Sequence, residues 1–436
     1  MPTADTNPID SLYDLVTGDE DARVCKDIPA ESCNDQPRNF FAYLVANLVT
    51  KVADELASAK LILPWLLGSL AAPTLLIGLL VPIREAGVLL PQLIVAAVIR
   101  RLPRRKGVWI IGALLSAGAL GLMALAAATL TGALAGWVIV ALLVIFSLAR
   151  GLCSVSAKDV LGKTVSKARR GNLMGLSAGI AGALTLALGL YLELVADAGP
   201  MVFAALLGGG AALFALGAVV FQLIREQPGA TEGGGNALEM AIESIGLLRA
   251  DPAFRHFVLV RISLLSVALA PPFYVLLAQQ RSTGLGGLGL MIIASGLAGT
   301  ISAPVWGRLS DRSARMVMVI AAALAGLLGL ITWGLAEADA PVLDSTPTFP
   351  LLFLMLGIAH AGVRLGRKVY LVDMATSESR AAMVAVSNSV IGVVMLAGGL
   401  IGLLGDAALV LLVLAIASLG AASYALRLRE VSEPTD

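Results

Sequence analysis

The residues able to do chemistry in this chain of 436 residues stand out because so little around them is polar: 58% is hydrophobic and 14% charged. Asn47, Lys51, Asp54 and Ser58 recur at helical steps, which puts them on one helix face, and Glu55 lies one step round from it. Arg84 and Glu85 are adjacent, so on a helix they point about 100° apart and are expected to have different partners. Glu85 could face Lys51, and Arg84 could face Asp54 or Glu55. Ser147, Arg150, Ser154 and Lys158 share another face. Arg261 stands in an apolar run, and His360, Arg364, Arg367 and Lys368 form a further group. Ionisable groups in such runs are costly and face a protein interior or a wet cavity. The chemistry open to them is ion pairing, binding of a polar solute and proton exchange, the last favoured at His360 because imidazole titrates near neutral pH. Each set also has a plainer reading. Lys51 with Asp54 and Glu55 can neutralise itself, Arg84 and Glu85 can tie helices together, and His360 can be a packing residue. Arg367 and Lys368 read as interfacial, snorkelling bases. There is no Gly-x-x-x-x-Gly-Lys-Ser/Thr run, no nucleophile–base set and no metal-ligand spacing, so neither an enzyme, a cofactor nor a metal is expected.

The elements that must position these residues are membrane helices. Soluble domains carry about 25% charged residues; this composition, with a mean hydropathy of +0.88, is that of an all-α polytopic membrane protein. Twelve runs of sufficient length can be placed: 40–63, 73–99, 107–130, 134–160, 172–194, 199–224, 254–278, 285–306, 315–336, 349–373, 381–404 and 406–427. The first contains Lys51, Asp54, Glu55 and Lys60 and would score poorly in a hydropathy window. A frame placing a span at 61–82 leaves too few residues before the Arg100–Lys106 cluster to cross again, so 40–63 and 73–99 are preferred, with Pro64 and Pro73 bracketing their turn.

Bases and acids sort to opposite ends of these spans. Arg100, Arg101, Arg104, Arg105 and Lys106 follow span 2, Lys158, Lys163, Lys167, Arg169 and Arg170 surround the turn after span 4, and Arg225, Arg249 and Arg255 lie between spans 6 and 7. Arg308, Arg312 and Arg315, then Lys368 and Arg380, then Arg427 and Arg429 continue the series. The other loops hold Glu193, Asp197, Glu337, Asp339, Asp344 and Asp406, with Arg281 as their one base. Under the positive-inside rule both termini are cytoplasmic, in the inner (plasma) membrane. The net charge of +1 gives no reason to expect nucleic acid as a partner. Residues 1–38 read as a solvated cytoplasmic tail without a signal peptide, 39–224 as one six-helix bundle, 225–253 as a linker, 254–428 as a second bundle and 429–436 as a tail. Within the linker, Leu238, Ile242, Ile245 and Leu248 give an amphipathic face over Ala237 to Leu248. Cys25, Cys33 and Cys153 read as reduced thiols, since a disulfide between the two tail cysteines is not expected in a cytoplasmic tail. A shift of 210 lays Ala149 on Ala359, Lys158 on Lys368, Arg170 on Arg380 and Ser177 on Ser387, an internal repeat consistent with two halves.

One charged turn ties these observations together. Trp306 to Met316 contains Gly307, Asp311, Arg312 and Arg315 at the fixed positions of a Gly-x-x-x-Asp-Arg/Lys-x-Gly-Arg-Arg/Lys signature, with Ala314 and Met316 departing from it. Gly307 would let two helix ends approach, and the lone acid Asp311 would hold the start of the next helix and a neighbouring helix end. This turn resembles the signature loop of the major facilitator superfamily, and from residue 39 onward the chain is similar to that family's twelve-span transporters. The first-half copy, Arg101 to Gly107, lacks the Asp. The resemblance implies two six-helix bundles rocking about a midplane site, a gate at the signature turn, no cofactor, and a monomer in the bilayer with a small solute and protons as its partners. It also implies that Asp54 or Glu55 works with Arg150, and that His360, repeat-equivalent to Arg150, faces it across the pseudo-twofold axis. The excess of bases on spans 4, 7 and 10 suggests an anionic or zwitterionic solute. Efflux of lipophilic cations is the alternative, although the Gly-Pro signature of drug antiporters is absent from span 5, where Gly175, Gly179 and Gly182 stand without a proline. An assembly factor that transports nothing is a third reading.

Overall fold

In hydrocarbon every backbone N–H and C=O must be paired within the segment, so long apolar runs become helices. The structure, a computed structural model, describes residues 8–17, 28, 30–90, 95, 98–99, 101–194, 199–229, 246–281, 286–376 and 379–431. Arg100, Asp197, Cys25, Gly233 to Gly235 and residues 237–245 of the amphipathic stretch lie outside these. The main helices are α1 (Pro8–Thr17), α2 (Gln36–Leu56), α3 (Ile62–Ser69), α4 (Thr74–Leu89), α5 (Lys106–Thr129), α6 (Gly132–Thr164), α7 (Lys167–Leu194) and α8 (Pro200–Gln222). After the linker follow α9 (Pro252–Ser263), α10 (Leu265–Leu269), α11 (Pro271–Arg281), α12 (Gly286–Arg312), α13 (Ala314–Glu337), α14 (Thr348–Met374), α15 (Arg380–Gly398) and α16 (Ala407–Ala425). Ten segments among the described residues are long and apolar enough to cross a membrane. The other two expected spans correspond to α2 with α3 and to α4: the charges on α2 and the 16-residue length of α4 set them apart. Large apolar side chains such as Leu122, Leu125 and Val393 point outward, as lipid contact requires.

The helices start where the chemistry says they should. Asp251 caps α9 by accepting from Ala253 N (2.9 Å) and Phe254 N (3.0 Å), with Pro252 in the first turn, where its missing N–H costs nothing. Asp406 caps α16 through Leu409 N at 2.7 Å. Prolines also set the interruptions. Pro271 and Pro272 open α11 and separate it from α10 within span 7. Pro64 was expected in the turn between spans 1 and 2 but lies inside the first turn of α3. A proline excludes the carbonyl four residues earlier, here that of Lys60, from helical pairing. Span 1 is accordingly broken over residues 57–61, between α2 and α3. The chain reverses instead around Ala71, at φ 55°.

The N-terminal tail is a correction to the sequence reading. Tyr13 of α1 is fully buried, with its ring 5.3 Å from Phe40 and 6.5 Å from Phe41. Its hydroxyl accepts from Gln36 Nε2 (2.7 Å), while Gln36 Oε1 accepts from Ser166 N (3.0 Å) and Arg169 donates to Thr17 O (2.8 Å). An aromatic side chain with one hydrogen bond outweighs the polarity of its neighbours and docks α1 against the start of span 1. Cys33 is disulfide-bonded, against the expectation of reduced tail thiols; Cys153 is free and buried. Tyr13→Ala removes the anchor, a loss of about 3 kcal/mol of packing. Residues 8–17 should then exchange backbone amides far faster while the spans stay protected, as hydrogen exchange would read.

Two groups of helices result, α2–α8 and α9–α16, and the contacts between them are unevenly distributed. They meet where α4 faces α15, α7 faces α12 and α3 faces α11. Thr74 Oγ1 donates to Gly405 O (2.9 Å) and Gln279 Nε2 to Trp65 O (3.1 Å). At Gly289 a Cβ would lie 2.5 Å from Gly189 O and 2.8 Å from Glu193 N, so α7 and α12 touch backbone to backbone. Among the described residues, every hydrogen bond joining the two groups lies at this end, away from the basic loops.

Candidate functional site

Between the two groups lies a cavity of about 510 Å³. The break in span 1 forms one wall, with Ser58, Lys60 and Leu61 lining it beside Asp54 and Glu55 of α2. Arg84 and Glu85 of α4 line a second wall, and His360 and Arg364 of α14 a third, with Ser295 and Gly299 of α12 closing the ring. A smaller side cavity of about 100 Å³ shares Lys60, Val81, Glu85, His360 and Arg364 with the first and adds Arg367. A third, of about 410 Å³, is lined by Lys51, Asp54, Glu55, Thr185 and Ser295.

Asp54 is the electrostatic centre of the first group of helices. Its carboxylate takes Arg84 Nη2 at 3.0 Å on one oxygen and Arg150 Nη2 at 2.6 Å on the other. Each guanidinium also covers an aromatic ring: Arg84 lies 5.2 Å from the Phe146 centroid, and Arg150 lies 5.0 Å from that of Phe214. Charge-assisted hydrogen bonds and ring contacts together fix both arginines, so the triad can change its geometry only by releasing Asp54. Glu55, adjacent on α2, points into the cavity and forms no ion pair among the described residues.

The structure separates the other candidates. Glu85 does not face Lys51: it shares the cavity wall with Lys60, while Lys51 lines the third cavity. The break in span 1 is the reason, because it swings Lys60 inward beside α4. His360 does not meet Arg150. It lies within electrostatic reach of Lys60, Arg364 and Arg367, and Arg150 is occupied by Asp54. Arg367, expected as a snorkelling base, lines the side cavity, whereas Lys368 is exposed. Arg261 is only 6% exposed and lines none of these cavities; it donates to Ser387 Oγ and to Asn388 Oδ1 (3.2 Å). Asn47 makes the corresponding contact in the other group, donating to Ser177 Oγ at 2.8 Å, and Ser177 and Ser387 are the repeat-related pair. Both are ties between paired helices.

At the signature turn, α12 and α13 are separated by Ser313 alone. Ser313 caps α13 through Met316 N (3.1 Å) and donates to Glu430 (2.6 Å), so the role expected of Asp311 falls to the serine. Arg315 lies 3.3 Å from Glu430 and donates to Leu428 O at 3.1 Å. Asp311 and Arg312 are exposed. A Cβ at Gly307 would meet nothing within 4 Å, so this glycine serves no close approach in this conformation. The first-half turn, which lacks the acid, borrows two. Arg105 pairs with Asp159, and buried Glu226 accepts from Arg105 N (2.9 Å) and Lys106 N (2.7 Å) and pairs with Lys163 at 3.2 Å. Reading the sequence missed Lys60, Arg367, Asp159 and Glu226. Signals existed for the first two: Pro64 four residues after Lys60, and Arg364 three residues before Arg367.

The Major Facilitator Superfamily family model matches residues 257–436. Curated proteins give no match. Among solved structures, the nucleoside transporter NupG superposes with a TM-score of 0.71 at 16% identity, covering 89% of this chain and 99% of that one. A POT family transporter in complex with 5-aminolevulinic acid gives 0.69 at 13% identity, covering 89% and 95%. The inward-open xylose transporter XylE from E. coli gives 0.65 at 14% identity, covering 91% and 98%. These identities establish a shared fold, and the family model falls on the half that carries the signature turn. Residues 257–436 thus match the major facilitator superfamily model, and the chain has the fold of that family's transporters.

Proposed function

We propose that this protein is a secondary active transporter that moves a small organic solute, anionic or zwitterionic, by alternating access, coupled to protons through Asp54. The observation that carries this reading is the cavity between the two groups of helices, closed at one end and walled by charged side chains from both. Ionisable groups gathered around a cavity inside a membrane mark solute or ion pathways. The solved structures with this fold include nucleoside, sugar and peptide transporters, one a xylose–proton symporter, which supports transport as the common activity. The run of basic loops on one side supports cytoplasmic termini under the positive-inside rule. The closed end is then external and the conformation inward-facing, with the signature turn disengaged.

Asp54 suits coupling because a proton and two guanidiniums compete for its oxygens. Protonation releases Arg84 and Arg150; recapture of the arginines expels the proton. Each exchange changes how α2 is held to α4 and α6, the helices that must move when the halves rock. Lipophilic cations fit less well, since the C-terminal wall presents Arg364 and Arg367.

The test is proton movement in proteoliposomes. Purified protein carrying a lumenal pH dye is challenged with organic anions, amino acids, sugars and cationic dyes, wild type beside Asp54→Asn. A solute-dependent pH change in wild type, abolished in the variant, is expected. No response to any solute, from protein with an intact melting transition, would contradict proton-coupled transport.

A further inference from the structure

We propose that the side cavity behind His360 is a carboxylate-binding subsite, in which Lys60 from the break in span 1 and Arg364 and Arg367 from α14 together hold the anionic group of the transported solute. This rests on the transport reading above and names the chemistry of its site. The larger cavity is balanced: Lys60, Arg84 and Arg364 face Asp54, Glu55 and Glu85. The side cavity is not, because Lys60, Arg364 and Arg367 face Glu85 alone. Apart from His360 the remaining wall is apolar, including Ile391 and Met395, and low polarity strengthens any charge interaction formed there. A space of about 100 Å³ accepts a carboxylate and little else, leaving the body of the solute in the 510 Å³ chamber that shares its wall.

Several charged groups elsewhere among the described residues are matched in ion pairs: Asp54 with two arginines, Asp159 and Glu226 with Lys163, Arg225 with Asp35, Arg315 with Glu430. Lys60, Glu85, Arg364 and Arg367 form no salt bridge among the described residues, although Lys60 and Arg367 each lie within electrostatic reach of Glu85. Three cations gathered in one recess around a single shared acid are arranged for an external anion. Arg364 and Arg367 are one helical turn apart, so their planar forks can converge on a single carboxylate. Lys60 belongs to the first group of helices and both arginines to the second, so the bound anion bridges the halves and favours their closure around it. Glu85 is the resident competitor for the same cations.

Three probes of equal size separate the possibilities: butyrate, butylamine and butyramide, added to the protein in nanodiscs while its melting temperature is recorded. Ligands this small bind at about millimolar affinity, so concentrations up to about 50 mM are used. Butyrate should raise the melting temperature of wild type, and the amine and amide should not. Lys60→Gln and Arg364→Gln should each weaken butyrate about tenfold, the loss of one charged hydrogen bond. Glu85→Gln should strengthen it about tenfold by removing the competitor, a gain that general damage would not produce. Stabilisation by butylamine but not butyrate, weaker butyrate binding in Glu85→Gln, or no butyrate shift up to the highest concentration would each overturn the subsite. The proteoliposome panel separates the two claims. Transport of some solute without butyrate binding leaves the transporter reading standing and removes the subsite; absence of both removes the two together.

Discussion

Gly289→Ala is expected to shift the protein away from the state closed at the α7–α12 contact, inward-facing under the proposed topology, toward the opposite state. A methyl at this position would lie 2.5 Å from the Gly189 carbonyl oxygen and 2.8 Å from Glu193 N. Both are backbone atoms of a long helix, which cannot step aside as a side chain can. Overpacking of this kind costs about 2 kcal/mol. Because the contact exists only where the halves meet at the closed end, the cost falls on that state, and about 2 kcal/mol changes a two-state ratio about 30-fold. Ser295 lines the cavity, so Ser295→Cys reports which side has access. With the wild-type glycine, a membrane-impermeant thiol reagent should label it from the basic-loop side. With Gly289→Ala, labelling from the opposite side should appear. Gly334→Ala is the control, since a Cβ there meets nothing within 4 Å. Equal labelling patterns in all three backgrounds would mean that the α7–α12 contact does not hold the outer end shut.

The second large effect concerns Asp54. Asp54→Ala leaves Arg84 and Arg150 facing each other across a partly buried site without their shared counter-ion. Breaking a buried charge pair by removing one partner costs about 3–5 kcal/mol, most of it from the stranded charge. The variant should therefore melt well below wild type as well as fail to couple. Adding Arg150→Met removes one stranded cation and should recover a substantial part of the lost stability without restoring transport. That separation of stability from function is the informative result. If Asp54→Ala melts like wild type, the triad does not hold these helices. If the double variant is worse than the single, the two residues are not energetically paired.

How much of this was legible in the sequence depends on the range of the interaction. Spans 3 to 12 follow from continuous apolar runs, and the structure moves most of their ends by a few residues. The family resemblance implied Asp54 or Glu55 beside Arg150, and it is Asp54 that forms the pair. The face each helix turns to the cavity was not legible, and so Arg367 was taken for an interfacial base. The break at 57–61 was overlooked although Pro64 marks it, because a proline near an expected span end reads equally well as a turn. Asp159 and Glu226 were hidden for another reason. They replace a missing acid from 54 and 121 residues away in sequence, and no local pattern announces a partner at that distance. The tail helix follows the same logic: burial of the single residue Tyr13 docks a segment whose composition is otherwise polar.

The most direct test of the account is whether the two ends of the molecule open in opposition. Spin labels at Arg104 and Arg308 report the separation of the halves at the basic end, and labels at Thr131 and Val342 report it at the other, all four positions being exposed. In nanodiscs, wild type should show a predominantly long distance at the basic end and a short one at the far end. Gly289→Ala should shorten the first and lengthen the second. Reciprocal change is what alternating access requires. Both distances moving in the same direction, or neither moving while Ser295→Cys changes its labelling side, would contradict it.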